Sequence, residues 1–263
     1  MFYLLVDRFF LALRFFPFIT EPYRSIESPE QLGKAAPFFP VAGFLIGIFA
    51  MACYLSFSFW FGAKLSCFLA LMVLIFFYNG RRFLGCLRVG DRLLISRYWT
   101  FENRGIIRLE QGTFRVILLF LIFALKFFAL LHVGEGWIPS MLALLPTVSA
   151  WSYIYLAHSL ASASDKEFGC FPHFKFVGNF QFWSATLFTT AIAIFFMGLE
   201  GLFLLMFISL GTVIFERYLV NRNKKYLGNA LGVMLESSEL GLLIIAILMR
   251  DGFLTSTSMG LWV

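Results

Sequence analysis

Of 263 residues, 60% are hydrophobic, 36 are phenylalanine and only 14% are charged, and several apolar runs reach the length that crosses a bilayer. That balance excludes a soluble globular enzyme, and about seven spans with short connections leave no room for a second, soluble domain. A net charge of +6 would point to nucleic acid in a soluble chain, but here it reads as cytoplasmic loops facing anionic headgroups. The expectation is an all-α polytopic helical membrane protein. It has about seven transmembrane helices plus an N-terminal interfacial or re-entrant helix, in one integral membrane domain over residues 1–263. The four cysteines, Cys53, Cys67, Cys86 and Cys170, show no paired spacing and suggest neither a disulfide framework nor a zinc site.

Phe2 to Thr20 is apolar but interrupted by Asp7, Arg8, Arg14 and Pro17, and no small-residue cleavage site follows it. Charges at that depth favour an interfacial or re-entrant helix over a true span or a signal peptide. A polar connector from Glu21 to Lys34 leads to the first firm span, Pro37 to Phe61, where Gly43 and Gly47 have the spacing that lets another helix approach closely. After a turn around Gly62 to Lys64 the chain returns through Leu65 to Tyr78.

Residues 79–115 form the longest polar segment, with arginines at 81, 82, 88, 92, 97, 104, 108 and 115 against Asp91, Glu102 and Glu110. This loop is expected on the cytoplasmic side. Topology alone could account for the bias. Alternatively some guanidinium groups hold phosphates, for which their planar fork and permanent charge are suited.

Val116 to Val133 is the next span and carries Lys126 near its middle, where a lysine either snorkels, which is hard from mid-bilayer, or faces the bundle and meets a carboxylate. Further spans run over 139–162, 182–197 and 201–215, the last two forming a hairpin around Gly198 to Glu200. Connectors at 20–35, 163–181 and 216–228 fall on the side of the arginine-rich loop, and the turns near 63, 135 and 199 on the other. His132, His158 and His173 have no metal-binding spacing, and each reads as an interfacial polar residue.

The last span opens on GNALGVMLESSEL, Gly228 to Leu240, where Asn229, Gly232, Glu236 and Glu239 step by three and four residues and share one helical face. A charged side chain at bilayer depth costs roughly 3 kcal/mol on insertion scales, so two carboxylates on one face need water, a cation or a basic partner. Lys126 is the obvious basic partner.

This stretch resembles the C-terminal signature of the cobalamin synthase family, the adenosylcobinamide-GDP ribazoletransferases. There the run G-D-x-L-G-x-x-x-E-x-x-E-L enters the last membrane helix, and Gly228, Leu231, Gly232, Glu236, Glu239 and Leu240 match it. Phe39 to Gly43 with Gly47 is similar to the family's F-P-x-x-G-x-x-x-G entry to its first span. The Arg14 to Pro17 neighbourhood resembles its short Arg/Pro motif. Asn79-Gly80 takes the place of the D-G that opens the family's acidic run, Gly112-Thr113 that of a G-T element, and Lys126 that of a lysine in the following span. The chain departs from the pattern at Asn79, Phe83, Cys86 and Asn229, where the family has aspartates, and at Phe114, where it has histidine.

The resemblance implies a magnesium-dependent transferase that joins adenosylcobinamide-GDP to α-ribazole or its 5'-phosphate and releases GMP. It implies catalytic roles for Glu236, Glu239, Asn79 and Asn229 and substrate contacts from Arg81, Arg82, Gly112, Thr113 and Lys126. Glu236, Glu239 and Asp91 would be the Mg2+ ligands. The partners expected are the lipid bilayer and the corrinoid-nucleotide and ribazole substrates, with no nucleic acid and a homo-oligomer left open. The location expected is a bacterial or archaeal cytoplasmic membrane, with the active face cytoplasmic. Two other readings stay open at this point: a non-catalytic relative that binds a corrinoid, lipid or partner protein, and a small transporter.

Overall fold

A computed structural model describes residues 2–15, 28–78, 87, 104–161, 172–221 and 227–252, and every statement below concerns those residues. The elements are α1 (Phe2–Phe15), α2 (Pro29–Ala35), α3 (Phe39–Phe77), α4 (Arg104–Val133), α5 (Ile138–Ala161), α6 (Asn179–Asn221) and α7 (Leu227–Arg250). Short 3-10 turns lie at Ala36–Phe38 and Pro172–Phe176. Among the described residues there are helices and no strands, as the composition requires of a chain whose backbone must satisfy itself in lipid.

Five helical stretches are long and apolar enough to cross a membrane. Two of them turn back on themselves, at Gly62 in α3 (φ 73°) and Gly198 in α6 (φ 58°), a left-handed backbone that favours glycine. The rings of Phe49 and Phe77 stand 5.3 Å apart, which α3 allows only by reversing, because 28 residues of straight helix would separate them by about 42 Å. Likewise a side chain on Gly201 would run into the carbonyl of Ala193, so the arms of α6 pack backbone to backbone just beyond the turn. Five stretches with two reversals give seven arms, the number of apolar runs the sequence predicts.

α5 is the hub. It is the least apolar of the five stretches and the most buried. The two properties go together, since a helix surrounded by other helices need not present hydrocarbon to lipid. Its main neighbour is the first arm of α3, which runs antiparallel to it with Gly43 against Pro146 and Gly47 against Ala143. A methyl group at either glycine would strike α5 backbone, so this spacing is the close approach the sequence suggests. α4 is peripheral, with Val116, Ile117, Phe120, Leu121, Leu125 and Phe128 facing outward.

At the end of the bundle that bears the 163–181 connector, α1 turns Leu11 and Ala12 inward and leaves Tyr3, Asp7 and Phe10 exposed. Its 14 residues rise only about 21 Å, short of a roughly 30 Å hydrocarbon core, and it packs along α2 and α3. The connector from Glu21 to Lys34 is part helix: Pro29 opens α2, whose exposed Glu30 and Lys34 pair at 2.5 Å one turn apart.

α2 docks on the 3-10 turn at Pro172–Phe176, where Gly33 sits on Phe176 and on the carbonyl of His173. His173 is buried there, with Nε2 2.6 Å from the hydroxyl of Tyr153, so it is not the interfacial residue the sequence suggested. Burial pushes its pKa down from 6.5 to about 4. An unfolded histidine then takes up a proton that the folded one excludes, so stability is full above pH 6.5 and falls by about 3 kcal/mol as the pH drops to 4. Thermal unfolding in detergent across that range should show this slope. His173→Gln should flatten it, and a slope that survives the substitution would show that another group carries it.

Candidate functional site

The polar face of α7 turns inward. Gly232, Glu236 and Glu239 are buried, Glu236 and Glu239 at 2% and 1% exposure. Opposite them is Lys126, 4% exposed, on the inward face of α4 with Ala129, Leu130 and Val133. Its ammonium donates to Glu236 Oε2 and, at 2.6 Å, to Glu239 Oε2. Tyr78, the residue that ends the second arm of α3, donates its hydroxyl to Glu239 Oε1 at 2.8 Å. Three elements thus converge on two carboxylates.

The depth of this cluster follows from helix rise. Arg250 closes the far end of α7 by donating to the carbonyl of His132 at 2.5 Å, so the ends of α4 and α7 are level there. Glu239 lies eleven residues before Arg250, about 16 Å along the axis. Lys126 lies six residues before His132, about 9 Å, and its side chain leans further the same way. That is about half the thickness of a 30 Å hydrocarbon core.

The second arm of α3 explains how a tyrosine at the end of a span reaches this depth. From Gly62 back to Phe39 the first arm rises about 35 Å, whereas from Gly62 to Phe77 the second rises about 22 Å. It stops level with Phe49, inside the membrane thickness, and places Tyr78 beside α7. Sequence reading missed Tyr78, because an aromatic residue at the end of an apolar run reads as an interfacial anchor. The available signal was the unequal length of the two arms.

Two carboxylates and one ammonium carry a formal charge of −1. Lys126 holds both glutamates close, and Tyr78 sets the orientation of Glu239. Tyr78→Phe removes a hydrogen bond to a charged group and is expected to cost about 1.5–3 kcal/mol in detergent unfolding. An unchanged unfolding midpoint would show that the hydroxyl contributes nothing.

The structure brings together Glu236, Glu239 and Lys126 of the residues singled out from sequence. Gly112 and Thr113 are on α4, which extends back to Arg104 through what reads as loop, and lie about 20 Å along the helix from Lys126. Asn229 is on α7, seven residues before Glu236, about 10 Å along the axis. Asn79, Arg81, Arg82 and Asp91 lie outside the described residues.

Magnesium takes one or two carboxylates together with substrate phosphates and water; Glu236 and Glu239 stand side by side, with their oxygens accepting from Lys126 and Tyr78. Among the described residues no group of three or more His, Cys, Asp or Glu side chains comes together.

Compared with protein families, residues 8–247 match the model of cobalamin-5-phosphate synthase. No curated protein and no solved structure matches the chain.

Proposed function

As the chain belongs to the cobalamin-5-phosphate synthase family, a transferase family of the final steps of cobalamin biosynthesis, we propose that it joins adenosylcobinamide-GDP to α-ribazole or its 5'-phosphate with release of GMP. The observation that supports this most is the Lys126, Glu236, Glu239 and Tyr78 cluster, which puts the acids of the matching C-terminal motif in one buried place.

In this reaction a ribose hydroxyl attacks the diphosphate, a new P–O bond forms, and the bond to GMP breaks. Mg2+, held by Glu236 and Glu239 with Asp91 as a further candidate, would neutralise the diphosphate. A carboxylate of the pair receives the hydroxyl proton. Lys126 holds the pair together by hydrogen bonds from its ammonium, and Tyr78 fixes Glu239 for its task. Arg81 and Arg82 contact phosphate, Gly112 and Thr113 line the substrate path, and Asn79 and Asn229 offer neutral oxygens where the family has aspartates.

The test is product formation by the purified chain in liposomes supplied with both substrates over a magnesium titration. GMP release that rises with magnesium is expected. No product above a heat-killed control at any magnesium concentration would sink the reading. Replacement of the family's aspartates by Asn79, Phe83, Cys86 and Asn229 favours a second reading, a relative that binds the corrinoid without turnover. Substrate binding unaffected by magnesium, with no GMP released, is its signature.

A further inference from the structure

Glu216 has no part in the Lys126 cluster. It sits on the second arm of α6, eighteen residues beyond the reversal at Gly198, about 27 Å along the axis. Against a hydrocarbon core of roughly 30 Å, that puts it at the membrane edge. Exposed aromatic side chains mark the same level independently. Phe180, eighteen residues before the reversal on the first arm, Trp183 and Tyr218 are all more than half exposed. Trp and Tyr gather where hydrocarbon meets headgroups.

At this level Glu216 and its neighbours offer a ligand acceptors alone. Tyr155 donates its hydroxyl to Glu216 Oε2 at 3.3 Å and Ser159 donates to Oε1, both from one face of α5. Protons spent on the carboxylate leave oxygen lone pairs and one negative charge. Among the described residues no cation pairs with Glu216. Tyr155, Ser159 and Glu216 are each half-buried, so the cluster can be reached from outside the bundle.

The chemistry that complements it is a cation bearing N–H donors, because hydrogen bonds between an ammonium and a carboxylate are roughly twice as strong as neutral ones. The next residue, Arg217, is exposed, and its charge reaches the Tyr155 hydroxyl. A negative and a positive side chain thus stand on successive residues at headgroup depth. An ethanolamine headgroup has the complementary order, an ammonium two carbons from a phosphate, and a guanidinium suits phosphate.

We propose that Glu216, with Tyr155 and Ser159, binds the ammonium of an ethanolamine phospholipid whose phosphate meets Arg217. The site stands apart from the Lys126 cluster and its test involves no turnover, so this and the transferase reading can fail separately.

Native mass spectrometry of the full chain in uncharged detergent, offered phosphatidylethanolamine, phosphatidylcholine or phosphatidylglycerol, tests it. All three lipids carry a phosphate, and the first alone has N–H donors on a cation. Wild type should retain one phosphatidylethanolamine per chain, about fivefold or more over each of the others. Glu216→Gln should hold phosphatidylethanolamine and phosphatidylcholine equally, whereas Arg217→Gln should retain less of both and keep the preference. The wild-type comparison decides alone if Glu216→Gln fails to fold. Equal retention of phosphatidylethanolamine and phosphatidylcholine by wild type, stronger retention of phosphatidylglycerol, a preference that survives Glu216→Gln, or no retained lipid would overturn the proposal. So would displacement of the lipid by an equal concentration of free ethanolamine, which would make the ligand a soluble amine.

Discussion

Lys126→Met is expected to lower the free energy of unfolding in detergent by about 3–5 kcal/mol, the usual loss when one partner of a buried ion pair is removed. The substitution keeps most of the length of the side chain and removes the cation placed against two carboxylates that are almost wholly buried. Those carboxylates must then bind protons or draw in water, and either response disturbs the contact between α4 and α7. The combined variant Lys126→Met, Glu236→Gln, Glu239→Gln leaves no charge behind and should recover most of the loss, because replacing a whole buried pair is often neutral where breaking it is not. Equal midpoints for wild type and Lys126→Met would show that the three charges do not act together.

Glu236→Gln and Glu239→Gln are each expected to reduce transferase turnover by about 100-fold or more, as loss of a positioned proton acceptor commonly does. Their effect on stability should be small. Each removes one of two negative charges and leaves a one-to-one pair with Lys126, so the cluster goes from a formal −1 to neutral. Activity lost without unfolding therefore separates a chemical role from a structural one, a distinction Lys126→Met cannot make. The double variant should be little worse than either single one if the glutamates work as a unit. Turnover within twofold of wild type in both single variants would remove the pair from the chemistry.

Much of this architecture was legible in the amino-acid order. The apolar runs mark the arms, Gly62 and Gly198 mark the reversals, and the steps between Gly232, Glu236 and Glu239 give the buried face of α7. Lys126 was assigned an acidic partner because a mid-span lysine has few other options, and it takes both glutamates.

What escaped notice did so for identifiable reasons. α4 continues back to Arg104, but beyond the bilayer a helix no longer needs an apolar face, and the density of arginine there reads as loop. His173 is buried by contacts with α2 and Tyr153, which no local pattern announces. Tyr78 depends on where the second arm of α3 happens to stop relative to α7, a tertiary relation absent from either segment alone.

Lys126 and Glu236 are 110 positions apart in the chain, and this separation has a consequence for biosynthesis. A ribosome working at about 5–20 residues per second delivers the glutamate roughly 5–20 seconds after the lysine. Through that interval α4 carries an unmatched cation that opposes its entry into hydrocarbon by roughly 3 kcal/mol. The apolar residues of α4 outweigh that cost and hold the helix in the membrane, but its lysine gains its carboxylates only when the last helix arrives. Nascent chains halted before residue 236 are expected to leave Lys126 reactive to an amine reagent, while chains completed through Arg250 should shield it.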